Sequence, residues 1–202
     1  MNELFSAADL FNEGSKTTKL PYGIHTEVSV KSVSRKETPN KNKFVEILFE
    51  KDGATIQKTL WTPKGDYPLK NSDGVLIETK EEATLRESKE NLRHIAKLLG
   101  IFLPPEKLES FPNLNYENFI DKAITTLTPI LNTKKVNLKV IYDSDGVYTE
   151  LGRFPDYVEL YQEGVEPTLK YSTYELQNRS TPKAKSAPKK NDLEELLGDS
   201  PM

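Results

Sequence analysis

Basic residues interleaved with aromatic rings are the part of this sequence most able to do chemistry. Between residues 16 and 70, eleven Lys and Arg stand against six Asp and Glu, although the 202-residue chain has a formal net charge of −3. Clustered cations are what neutralising a phosphate backbone requires; an ordinary solvated sheet face is the other use of such a surplus. Lys64, Tyr67 and Lys70 mix charge with a ring, which suits a loop that tracks a nucleic-acid strand. Other chemistries are poorly provided for. With no cysteine, disulfides and thiolate metal sites are excluded, and His25 and His94 are the only imidazoles. No Gly-rich phosphate loop, HExxH or paired-histidine spacing occurs, and the carboxylates are scattered. The reading is therefore of a protein without catalytic residues, cofactor or metal, with a metal-assisted carboxylate nuclease as the enzymatic alternative.

The elements that must position these groups are three extended runs in residues 22–61. Ile24, Thr26, Val28 and Val30 share one parity, as expected of a half-buried strand. Val45, Ile47 and Phe49 do the same in the second run, with Phe44 and Glu46 opposite. Asp52-Gly53 supplies the positive-φ pair of a tight hairpin, and the third run returns with Ile56 and Leu60 inward and Gln57, Thr59 and Trp61 outward. Lys31, Phe44 and Trp61 are thus expected on the polar face of an antiparallel meander. Lys58 has inward parity, which places it near a rim.

Turn formers make residues 62–74 a loop. Thr84 to Glu87 fits a capping box; Leu92, Ile95, Ala96 and Leu99 then make an apolar stripe, with Gly100 as the stop and His94 off the stripe on the surface. After Pro104-Pro105, a second helix starts at Asn115 and carries Phe119, Ile120, Ala123, Ile124, Leu127 and Leu131, and Pro129 shortens or kinks it near the end. Val136, Leu138, Val140 and Tyr142 alternate with Asn137, Lys139 and Ile141, and the Asp143–Gly146 turn leads into residues 147–151, with an edge strand at 157–161. Three strands, helices and two or more strands give the order of an OB-fold: a mainly β, five-stranded antiparallel barrel with a helical insertion between strands 3 and 4.

The expected organisation is an amphipathic segment at 1–19, an OB-like domain at 20–178 with its insertion at about 80–132, a Lys/Pro/Ser/Ala linker at 179–191 and an acidic tail at 192–202. Leu4, Phe5, Ala8 and Phe11 of the first segment pack on the sheet or on a partner. The tail offers Asp192, Glu194, Glu195 and Asp199 as phosphate mimics for the protein's own basic groove, or Leu193, Leu196, Leu197 and Met202 to a partner. No apolar run approaches the roughly 20 residues that span a bilayer, and no basic-then-apolar leader opens the chain. A cytoplasmic protein without membrane contact is expected.

Three stretches carry a family resemblance: PYGIHTEVSVKSVSRKE, the FVEILFE hairpin with its DG turn, and KKVNLKVIYDSDGVYTELGRFPDYVE. With the linker and acidic tip, they resemble bacteriophage single-stranded DNA-binding proteins, over about residues 20–160 plus the tail. The ending Asp199-Ser200-Pro201-Met202 is similar to the Asp-x-Pro-Phe tip of bacterial single-stranded DNA-binding proteins, with Met202 where that tip has Phe. The resemblance implies a binder of single-stranded DNA in replication, recombination and repair, working in the cytoplasm of a host cell, with replication or recombination proteins docking on the tail through residues that include Pro201. It implies stacking of bases on Phe44, Trp61 and Tyr148, and phosphate contacts from Lys31, Arg35, Lys41, Lys43, Lys58, Lys64 and Lys139. A homo-oligomer stays open, as does a protein-interaction module in which the barrel grips protein and the tail is a tether.

Overall fold

The computed structural model describes residues 18–109, 111–112 and 114–177. The N-terminal segment up to residue 17, the linker and the acidic tail lie outside the described residues. Six strands form one sheet: β1 (Gly23–Glu37), β2 (Lys43–Lys51), β3 (Ala54–Trp61), β4 (Val136–Tyr142), β5 (Thr149–Leu151) and β6 (Val158–Leu160). Their order is β3-β2-β1-β4-β5, with β6 also paired to β4. The ladders between these strands are all antiparallel, and Lys19 adds an isolated parallel bridge to Thr55 of β3. β5 and β6 occupy successive stretches of one β4 edge, with Val140 opposite Leu151 and Val136 opposite Leu160. They act as one fifth strand interrupted by residues 152–157. The result is a nearly closed, five-stranded OB-like barrel.

Closure depends on β1, whose first part pairs with β4 and whose remainder pairs with β2. A strand shared by two halves of a barrel must bend, and bulges supply the bend. Glu27 takes φ 58° where the register with β4 shifts, and Lys31 is the extra residue between the Val30–Phe49 and Ser32–Leu48 pairs. Each bulge resets parity. The inward residues are therefore Val28, Val30 and Val33, while Ile24 lies exposed before the first bulge, so the even alternation expected from Ile24 onward does not hold. In β2 and β3 the expected faces are found: Val45, Ile47, Phe49, Ile56 and Leu60 are buried. Asp52 and Gly53 have φ values of 51° and 79°, the geometry that matches a hairpin turn to strand twist.

The insertion contains α1 (Lys80–Phe102), α2 (Pro105–Glu109) and α3 (Tyr116–Leu127); α4 (Thr173–Gln177) follows the barrel. Ile95, Leu98 and Leu99 of α1 and Ile120 and Leu127 of α3 close the barrel core. The capping box of α1 is Thr79 with Glu82, five residues earlier than expected. Thr84 donates to the Lys80 carbonyl and Glu87 accepts from backbone amides of the preceding loop, so neither caps the helix. The helix also runs through Gly100, and Pro104 stops it instead. α3 starts where expected, with Asn115 as its N-cap, and ends two residues before Pro129, so Leu131 lies beyond it, buried in a separate turn. Arg35 fastens α3 to β1, with Nε 2.6 Å from Asp121 Oδ1 and Nη1 2.8 Å from Glu117 Oε2.

β4 departs furthest from expectation, because Val136 to Ile141 are buried on both faces. The segment 161–177 covers what alternation presents as a wet face. Lys139, expected there as a phosphate contact, is 0% exposed. Its ammonium pairs with Glu175 at 3.1 Å and Asp156 at 3.2 Å, and donates to the Lys170 carbonyl at 2.9 Å. Alongside, the Tyr22 ring stacks between Tyr142 and Tyr171, with centroids 5.0 Å away on either side.

Candidate nucleic-acid interface

Antiparallel pairing of β2 with β3 sets Phe44 directly opposite Trp61, and their rings meet at 5.0 Å with a 53° tilt. Lys36 of β1 completes this row at the barrel rim. Trp61 is 54% exposed, while Phe44 is half-buried beneath it. An exposed indole stiffened by a second ring is a platform on which a planar base can stack. The backbone of Trp61 is fixed as well: Asn91 of α1 donates to its carbonyl at 2.7 Å and to the Tyr116 hydroxyl at 3.2 Å.

Around this platform stand Lys41 and Lys43 at the β1–β2 turn and Lys64 beyond β3. Lys41 sits at φ 59° in the turn, Lys43 is exposed at the start of β2, and Lys64 Nζ donates to Asn42 Oδ1 at 2.8 Å. None of the three has a carboxylate partner among the described residues. Lys43, Trp61 and Lys64 open onto a cleft of about 560 Å³ between β3 and α1. The loop forming one lip is held rigidly. Glu87 accepts from the amides of Lys64 and Gly65 at 3.1 Å each, and Arg86 Nη2 donates to the Tyr67 carbonyl at 2.8 Å. Gly65 has φ 66°, and a Cβ there would lie 2.2 Å from the Lys80 carbonyl oxygen, so only glycine permits this approach of loop to helix.

The other expected contacts have different placements. Lys31 protrudes at its bulge and pairs with Glu50 at 2.6 Å. Arg35 is engaged by α3, and Lys139 is buried under the segment 161–177. Tyr148 is 66% exposed in the β4–β5 loop, with Lys19 Nζ 5.8 Å from its ring centre, and it does not line the cleft. Lys58 lies at the seam where β3 approaches β5 without a strand ladder. Its ammonium donates to the carbonyls of Leu151 (3.3 Å) and Gly152 (2.8 Å), and burial lowers its pKa. It is a closing group of the barrel. The tail residues Asp192, Leu193, Glu194, Glu195, Leu196, Leu197, Asp199, Pro201 and Met202 lie outside the described residues.

His94, expected at the surface, is 3% exposed on the cleft floor. It stacks on Tyr157 at 5.5 Å, and its Nδ1 is 3.1 Å from the Tyr157 hydroxyl. The stripe read from aliphatic residues alone passes it by; α1 turns more of its surface inward because β6 and the 152–157 segment also pack on it. Burial, aided by the charge of Lys58, lowers the His94 pKa from 6.5 to about 4. The unfolded chain therefore takes up this proton first, and stability falls as pH drops from 6.5 toward 4. At ~1.4 kcal/mol per unit the loss reaches roughly 3 kcal/mol. Denaturant midpoints measured between pH 7 and pH 4 are expected to fall more steeply for the natural protein than for His94→Gln; equal slopes would refute the assignment.

Comparison with known proteins finds no matching family model, curated protein or solved structure. Among the described residues, no helix is long and apolar enough to cross a membrane. The class defined by the fold is the OB-like barrel, and its function has to be argued from the site.

Proposed function

We propose that this chain binds single-stranded DNA without marked sequence preference, through base stacking on Trp61 and Phe44 and phosphate contacts from Lys41, Lys43 and Lys64. The observation that carries this reading is an exposed, ring-backed indole beside lysines that have no carboxylate partners. Stacking is indifferent to base identity because every base has a π-face, and lysine point charges follow a backbone rather than a sequence. Nothing in the arrangement pairs a nucleophile with a base, so the reading is of a passive binder. Its place is protection of exposed strands during bacteriophage replication, recombination and repair in the host cytoplasm. The acidic tail, in this reading, recruits replication or recombination proteins or competes with DNA for the basic groove.

Trp61 is the sole tryptophan, so its fluorescence reports the site directly. Titration with oligo(dT) is expected to quench it, with affinity falling steeply with salt and tightening when residues 192–202 are removed. Absence of binding at low salt, even by the tail-less protein, would sink the proposal. One observation favours the second reading, a protein-interaction module. The hairpin that follows the cleft loop exposes Leu69, Val75, Leu76 and Ile77, an apolar group of the kind proteins dock on. Protein capture that persists when Trp61 is replaced, with no oligonucleotide binding, would select it.

A further inference from the structure

We propose that a bound strand does not cross the middle of the β2–β3 face, but turns at Trp61 into the cleft between β3 and α1, where Tyr67 and Arg153 are additional contacts. This rests on the single-strand-binding reading and specifies its path.

The outward face of β1–β2–β3 is laid out in cross-strand rows. Below the Lys36–Phe44–Trp61 row come Ser34–Glu46–Thr59, Ser32–Leu48–Gln57 and Ser29–Glu50–Thr55. No ring occurs below the first row, so the platform ends at the rim. Two carboxylates occupy the ground that a phosphate chain would cross, and the nearby lysines are already engaged: Lys36 lies 3.5 Å from Glu46 and Lys31 lies 2.6 Å from Glu50. A polyanion crossing there would meet like charge and would have to break both pairs.

The cleft has the opposite character. Tyr67, 82% exposed, lines it together with Trp61. Arg153 reaches it from the segment between β5 and β6, its guanidinium exposed, 3.2 Å from Glu90 and 5.8 Å from the centre of the Phe154 ring. Two of the three acids of the cleft are paired with cations, Glu90 with Arg86 and Arg153 and Asp66 with Lys80 at 3.7 Å, while Glu87 accepts two loop amides at Oε2 and its Oε1 is buried without a partner among the described residues. Lys43 and Lys64 remain as cations without acidic partners at the entrance. Tyr67 is carried on the loop that Glu87, Arg86 and Gly65 already fix, so little ordering entropy opposes its use as a second platform.

The test is oligo(dT) affinity of the full-length chain over a range of salt concentrations for three substitutions at exposed positions, with thermal unfolding as the folding control. Tyr67→Ala is expected to weaken binding roughly 5- to 100-fold, the loss of about one stacked base. Arg153→Gln is expected to weaken it and to lower the log–log salt slope by about 0.7, the value of one single-strand phosphate contact. Gln57→Lys places a new cation mid-face and is expected to change affinity by less than about twofold, since a charge off the path neutralises no phosphate. A tighter, more salt-dependent Gln57→Lys protein, with Tyr67→Ala and Arg153→Gln unchanged, would overturn the path while leaving single-strand binding intact. Failure of both the natural protein and the protein lacking residues 192–202 to bind oligo(dT) at low salt would overturn both.

Discussion

Trp61→Ala is expected to bind labelled oligo(dT) roughly 10- to 100-fold more weakly than the natural protein, since a base–aromatic stack contributes about 1–3 kcal/mol. The upper part of the range applies because Trp61 is the most exposed ring of its row and Phe44 lies half-buried beneath it. Removing the indole uncovers Phe44, which recovers part of the contact but lacks the reach and area of the larger ring. The fold is expected to tolerate the change. The Trp61 carbonyl still accepts from Asn91, and the inward neighbours Leu60 and Val45 are untouched. Trp61→Phe is expected to retain most of the affinity. Fluorescence anisotropy of the labelled oligonucleotide measures both, because Trp61→Ala has no tryptophan left to read. An alanine variant that binds as tightly as the natural protein would remove the stacking platform from the proposal.

The second large effect concerns stability. Glu175→Ala is expected to cost about 3 kcal/mol, the lower end for breaking a buried ion pair by removing one partner. Lys139 cannot follow its charge into water: it is 0% exposed and points under the segment 161–177. Asp156 stays within 3.2 Å, which keeps the cost from rising further. Adding Lys139→Met to Glu175→Ala removes the stranded ammonium while keeping volume, and the double variant is expected to recover much of the loss. Chemical denaturation of the natural protein, single and double variants gives the comparison. Oligonucleotide affinity of the double variant is expected to match that of the natural protein. A double variant that folds normally but binds single strands weakly would return Lys139 to the DNA contacts; no recovery of stability would refute the buried pair as the cause.

Lys139 also shows where sequence reading reaches its limit. A lysine at alternate parity in an apolar strand reads as solvated unless one knows that residues 161–177 fold back across it, and that segment carries little periodicity of its own. Trp61 and Phe44 are legible because their placement depends only on the local hairpin, whose Asp52-Gly53 turn fixes the register of every pair in β2 and β3. β1 is only partly legible. Its composition marks a strand, but the bulges at Glu27 and Lys31 arise from a barrel closure that involves β4, more than 100 residues away in the chain. His94 and Lys58 fail for a related reason. Each is polar on an element facing the interior, and the partners that make burial tolerable, Tyr157 and the carbonyls of Leu151 and Gly152, come from the last strand segments. Thr84 with Glu87 matched a capping motif by spacing alone, whereas Thr79 with Glu82 satisfies the amides at the true start.

The seam at Lys58 has a mechanical consequence. Along every other junction of the barrel, separation of two strands would break a ladder of backbone hydrogen bonds; between β3 and β5, the closure passes at one end through the Lys58 amine and the carbonyls of Leu151 and Gly152, and at the other through residues 18–20, where the Leu20 amide donates to the Thr55 carbonyl and Thr149 Oγ1 donates to the Leu20 carbonyl. The same amine borders the cleft. At the Lys58 end of the seam a flexible side chain therefore spans the gap that a ladder spans elsewhere. Widening the cleft at this end draws on the Lys58 contacts, on the same strand that carries Trp61.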